Sequence, residues 1–127
     1  MKYTAQAFLA VVLTLLSSLG AAREPFENSR FIQLQDDNAV VLVHIEAEWC
    51  SICAIQKRVL NMFKRGHPDV PVHILTINFD TEKEKVKQFR APRQSTFALY
   101  RGHNQVWFSV AEVRPDIIYQ KIIGAAR

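Results

Sequence analysis

Trp49-Cys50-Ser51-Ile52-Cys53 holds both cysteines of a 127-residue chain, with two residues between the thiols. Ahead of it, Val40-Val41-Leu42-Val43-His44-Ile45 is an almost unbroken apolar run rich in β-branched residues, the pattern of a central strand covered on both faces. Behind it, Ile52, Ile55, Val59, Met62 and Phe63 recur at helical spacing, with Lys57, Arg58, Asn61, Lys64 and Arg65 opposite, which predicts an amphipathic helix packed on one face. The stretch therefore reads as strand, turn and helix, with a dithiol where the helix begins. There Cys50 lies over unpaired backbone N–H groups and the positive end of the helix dipole, which favour thiolate over thiol. Cys53 falls on the same helical face and can close a ring with it. The chemistry implied is thiol–disulfide exchange, one sulfur attacking and the other resolving the mixed disulfide.

Other uses of two cysteines fit less well. A structural disulfide closing so small a loop constrains little of the unfolded chain. Structural zinc takes about four ligands, and no second cysteine pair supplies them. Attachment of a c-type haem needs His directly after the second cysteine, where Ala54 stands. Basic residues are dispersed among acidic ones, apart from short clusters such as Lys57-Arg58 and Lys64-Arg65, so they read as a solvated helix face and not as a nucleic-acid footprint.

The N-terminus reads as an export signal over 1–22: Lys2 is followed by an apolar stretch from Phe8 to Leu19, broken only by Thr14, Ser17 and Ser18, and then by the small residues Gly20-Ala21-Ala22. Cleavage after Ala22 leaves 23–127, a length suited to one domain with one core. The alternative is an uncleaved membrane anchor, although the apolar run is short of the ~20 residues that cross a bilayer.

Working outward from the dithiol, Asn28 or Ser29 is placed to cap a short helix containing Phe31 and Leu34, with a strand over Phe31 to Leu34 as the alternative. Gly66-His67-Pro68 stops the dithiol helix, and Val72 to Phe79 reads as a strand parallel to the first. Thr81-Glu82-Lys83-Glu84 has the form of a capping box, opening a helix that turns Val86 and Phe89 inward and ends at Ala91-Pro92. Ser95 to Tyr100 and Gln105 to Val110 form a hairpin through Gly102-His103-Asn104. Pro115 opens a last helix that buries Ile117, Ile118, Ile122 and Ile123 before Gly124. His67, His73 and His103 read as surface or loop residues, and Met62, Trp107 and Phe108 as packing.

Ala47-Glu48-Trp49-Cys50-Ser51-Ile52-Cys53 after a buried strand, together with this order of elements, resembles the thioredoxin superfamily, above all exported thioredoxin-like proteins of bacteria. The resemblance covers nearly all of 23–127. It implies an α/β fold with a central mixed four-stranded sheet flanked by helices, and a periplasmic location. It also implies Cys50 as nucleophile, Cys53 as the more buried resolving thiol, and Trp49, Ser51 and Ile52 as substrate-facing neighbours. Three positions depart from the family pattern. Ser95 stands where a cis-proline touches the dithiol; a cis bond before a residue other than proline costs ~2.5 to 4 kcal/mol, so Ser95 is expected to be trans or strained. The loop Arg93-Gln94-Ser95-Thr96 should still flank the sulfurs, with the Gln94 backbone able to pair with a substrate strand. His44 replaces a buried aspartate, and Thr76 the lysine often paired with it. A buried imidazole can serve as base for Cys53, or it can be a core histidine satisfied by hydrogen bonds, and the sequence leaves both standing.

The function these features predict is an exported thiol:disulfide oxidoreductase acting on protein thiols or disulfides. It needs no dissociable cofactor, but a redox partner, soluble or membrane-bound, must reset the pair. The alternatives are a thioredoxin-fold dimer binding a soft metal or iron–sulfur cluster through Cys50 and Cys53 of two chains, and a non-catalytic binding module.

Overall fold

The computed structural model describes residues 23–127, so the expected leader lies outside the described residues. The elements run β1 (Glu24–Pro25), α1 (Asn28–Asp36), β2 (Val40–Glu46), α2 (Ser51–Gly66), β3 (His73–Asn78), α3 (Lys83–Gln88), β4 (Thr96–Arg101), β5 (Asn104–Val110) and α4 (Pro115–Ala126). The strands form one mixed sheet in the order β1-β3-β2-β4-β5, with β2 parallel to β3 and antiparallel to β4. The α/β architecture is as expected, with one correction: the sheet has five strands, not four. The additional strand is Glu24–Pro25, beside Leu75 and Thr76 of β3. Two residues carry no alternation to read, and proline is tolerated there because an edge strand leaves one side unbonded.

Alternation along β2 sets the layers. Val40 and Leu42 pack with Val59, Leu60 and Phe63 of α2 and with Ile118 and Ile122 of α4. Val41, Val43 and Ile45 point the other way, toward Phe31 and Leu34 of α1 and toward Val86 and Phe89 at α3. Every residue of β2 from Val40 to Ile45 is buried, as a strand covered on both faces must be. By the same alternation His44 belongs to the α2 face, at the end of the strand from which the chain turns into the dithiol.

Several local expectations are corrected. Glu82 holds the N-cap position of α3 in place of Thr81, and the capping box does not form. Instead the Glu82 carboxylate accepts from the Asn78 N–H, and Asn78 Oδ1 accepts from the N–H groups of Asp80 and Thr81. Helix α4 continues through Gly124 to Ala126. Met62 does not pack inward; it is 50 % exposed. Trp107 does pack, with its ring 5.9 Å from that of Phe97, but Phe108 is 38 % exposed. Phe108 lies opposite Ala98, on the face covered by α1 and α3, and those helices rest mainly on β2 and β3, away from the edge strand β5. Among the described residues no helix is long and apolar enough to cross a membrane.

Candidate active site

Strand β2 ends at Glu46, and a short turn closed by the Cys50 N–H on the Ala47 carbonyl (3.2 Å) delivers Cys50 to the N-cap position of α2. Its backbone there is extended, and its Sγ accepts from the Cys53 N–H at 3.1 Å. A sulfur in place of the usual hydroxyl or carboxylate cap thus occupies the spot where helix N–H groups stabilise negative charge. The two cysteines are joined as a disulfide, with their Cα atoms 5.3 Å apart. Cys50 is 5 % exposed and Cys53 fully buried, so an incoming sulfur meets Cys50 first.

Around this pair, Glu48 is exposed at the top of the turn and Ser51 is exposed beside Cys50. Ile52 is half-buried against Ala47 and the two cysteines. Trp49 is 64 % exposed, and its indole N–H donates to Asp80 Oδ2 at 2.7 Å. That bond holds a broad apolar ring on the outside of the molecule, next in the chain to the reactive sulfur.

The Ser95 loop answers the question its sequence raised. No cis peptide bond occurs among the described residues, and Ser95 takes φ 62° instead, in the left-handed region that side chains other than glycine rarely enter. Ser95 is fully buried, Gln94 half-buried, and the Ser95 hydroxyl donates to the Gln94 carbonyl. Ala111, facing it beyond the end of the β4–β5 ladder, is also left-handed, and its N–H donates to the Ser95 carbonyl at 2.9 Å.

Gln56, which the sequence reading passed over, ties this loop to the dithiol helix. It lies one turn beyond Cys53, is fully buried, and donates from its amide nitrogen to the Ser95 carbonyl at 3.1 Å and the Glu112 carbonyl at 3.0 Å. The available signal was its place in the stripe Cys53, Gln56, Leu60, Phe63, a polar residue at apolar spacing.

His44 is fully buried and sits beside Thr76 of β3 in the sheet register. Its Nε2 is 2.8 Å from Gln56 Oε1 and its Nδ1 is 2.6 Å from a guanidinium nitrogen of Arg23. Arg23 also pairs with Glu46 Oε2 at 2.9 Å, and Lys57 reaches the same oxygen at 3.2 Å. The cations near His44 thus come from ahead of β1 and from α2, while the Thr76 hydroxyl donates to the Glu24 carbonyl. Of the two roles the sequence left open for His44, this geometry fits the hydrogen-bonded core histidine, because neither ring nitrogen is free to take a proton from Cys53.

Burial, and then the Arg23 and Lys57 charges, hold the His44 imidazole well below its ordinary 6.5, to about 3, against the upward pull of its Gln56 hydrogen bond. Between those values the unfolded chain binds the proton and the folded chain does not. Stability is therefore full above about pH 6.5 and declines as the pH falls toward 3, by about 1.4 kcal/mol per unit. From pH 7 to pH 5 the wild type is expected to lose about 2 kcal/mol more than His44→Gln in urea denaturation, and parallel losses would show that His44 is not held neutral.

The remaining histidines lie away from the site. His103 is exposed and pairs with Asp36 at 2.9 Å, and His73 is half-buried at the start of β3. His67 stacks on Phe63 with ring centroids 4.6 Å apart, so it contributes to packing beyond its expected place at a helix end. Among the described residues no group of three or more His, Cys, Asp or Glu is placed to hold a metal ion.

The thioredoxin family model matches residues 23–123. The crystal structure of Trxlp from Edwardsiella tarda is similar, with 34% identity and a TM-score of 0.74, covering 80% of this chain and 98% of that one. More distant likenesses show the fold alone. The crystal structure of thioredoxin from Trypanosoma brucei brucei has 17% identity and a TM-score of 0.68, covering 83% of this chain and 90% of that one. The solution structure of oxidised thioredoxin from Plasmodium falciparum has 18% identity and a TM-score of 0.65, covering 84% of this chain and 100% of that one. No curated protein matches the chain.

Proposed function

The chain belongs to the thioredoxin family and is a thiol:disulfide oxidoreductase, and from that premise we propose that it exchanges disulfides with other proteins after export, its leader 1–22 removed. The observation that carries the reading is the placement of the pair: Cys50 caps a helix at the surface-facing end, and Cys53 lies buried one turn in.

In the reductive direction the Cys50 thiolate attacks one sulfur of a substrate disulfide. A Cys50–substrate disulfide forms, and the other substrate sulfur leaves as a thiolate that takes up a proton. Cys53 then gives its proton to solvent and attacks Cys50 Sγ, which closes the Cys50–Cys53 bond and releases the second substrate thiolate. Two electrons pass from the dithiol to the substrate, and a dithiol partner must return them. Trp49, Ser51 and Ile52 supply the contact surface on one side of Cys50. The Gln94 main chain, carried by the Ser95 loop, offers backbone groups to an extended substrate on the other.

Insulin reduction with dithiothreitol as electron source tests the reading. Wild type is expected to accelerate the reaction well beyond Cys50→Ser, and a wild type no faster than that variant would overturn the assignment. Produced from the full-length gene in a bacterial host and recovered from the periplasm, the enzyme is expected to have an intact mass starting at Arg23; a retained leader would refute processing.

A further inference from the structure

The buried polar groups beneath the dithiol form a chain whose direction can be worked out. Gln56 faces two main-chain carbonyls, those of Ser95 and Glu112, and only an amide nitrogen can satisfy both. Its orientation is therefore fixed, and Oε1 is turned toward His44. An oxygen 2.8 Å from His44 Nε2 requires the imidazole proton to be on Nε2. Nδ1 is then a lone pair; the Arg23 guanidinium, which can only donate, lies closest to it at 2.6 Å, and the Glu46 oxygen 3.5 Å from Nδ1 is itself held by Arg23. Every link points the same way, from Arg23 to His44 to Gln56 to the two carbonyls, and such aligned bonds polarise and strengthen one another.

The far end of this chain matters because of what it holds. Ser95 is a left-handed residue with a trans bond, in a backbone state that persists only when its surroundings over-determine it. The side-chain bond that crosses from the dithiol helix to Ser95 is the one from Gln56. We infer that Gln56 is a positioning residue of the redox site: it fixes the Ser95 loop against α2 in the absence of a proline there, and His44, locked by Arg23 in its Nε2–H form, fixes Gln56. The inference rests on the protein-disulfide exchange proposed above, since the loop matters only if a substrate chain docks along it.

The role separates from thiol chemistry. Cys50 owes its reactivity to the start of α2, whereas the side-chain bonds of Gln56 go to His44, Ser95 and Glu112, and docking depends on where Ser95 and Gln94 sit. Gln56→Met keeps the volume and removes both donors. It is expected to raise KM for insulin about tenfold, a loss near 1.4 kcal/mol and in the range for a buried hydrogen-bonding group, while alkylation of reduced Cys50 by iodoacetamide stays within about twofold of wild type. Equal losses in both assays, or no change in KM, would overturn the inference. An inactive wild type would instead overturn the proposed function.

A second measurement holds even if Gln56→Met fails to fold. In wild-type protein at pH 7 the ring nitrogens of His44, followed by 15N NMR, are expected to report a protonated Nε2 and a bare Nδ1. Arg23→Met, which removes the donor to His44 Nδ1 together with the exposed-side ion pair to Glu46, is expected to introduce the other tautomer and raise KM in the same direction. A wild-type His44 protonated on Nδ1 would break the chain at its centre and refute the assignment.

Discussion

Cys53→Ser is expected to halt the reaction at the mixed disulfide: turnover falls to the uncatalysed rate, while a covalent complex with substrate accumulates through Cys50. The two steps depend on different sulfurs. Attack needs only Cys50, which keeps its place at the helix N-terminus and its accessible edge when Cys53 is replaced. Release needs a second sulfur within bonding reach of the first, and a serine hydroxyl at that position is far too weakly acidic to attack a disulfide at neutral pH. Cys50→Ser is expected to lose turnover to the same extent but to form no complex, because Cys53 is fully buried and no substrate sulfur reaches it. Non-reducing electrophoresis and intact mass after mixing with an oxidised protein substrate distinguish the variants. Complexes in equal amount from both would mean that the cysteines are interchangeable, contrary to their unequal burial.

The largest expected effect on stability comes from the same helix, at its far end. Phe63 is fully buried among α2, α4 and the sheet, with its ring 5.1 Å from that of Tyr119. Phe63→Ala removes the transfer free energy of the ring and leaves a void that the surrounding sheet cannot collapse to fill, so a loss of about 3 to 5 kcal/mol is expected. Against a total of about 5 to 15 kcal/mol this removes at least about a fifth of the stability. Met62→Ala, one residue away and half exposed, is expected to stay within about 0.5 kcal/mol of wild type. Urea midpoints of the pair check the contrast, and similar values would place the core elsewhere.

What the sequence disclosed follows from what kind of signal each element carries. The apolar run of β2 and the two-sided pattern of α2 reflect burial along many residues, and both elements stand where their patterns put them. Cys50 and Cys53 announced themselves by type and spacing. Met62 was misplaced because helical spacing names a stripe and not its edge, and Phe108 because strand alternation cannot tell which face lacks a covering helix. Arg23 left no local sign, since its contacts with His44 and Glu46 cross 21 and 23 residues of chain. Gln56 did leave one, a polar residue at apolar spacing, but its neighbours Lys57 and Arg58 belong to the solvated face and mask it.

The position of β2 at the middle of the sheet bears on how the molecule breathes. Its amides and carbonyls are engaged on both sides, by β3 and by β4, whereas β5 has a neighbour on one side only. Fraying that begins at the outer strands reaches the floor of the dithiol last, so amide protons of β2 are expected to be among the slowest to exchange with solvent. Thermal agitation confined to those outer strands leaves the sulfurs on an undisturbed footing.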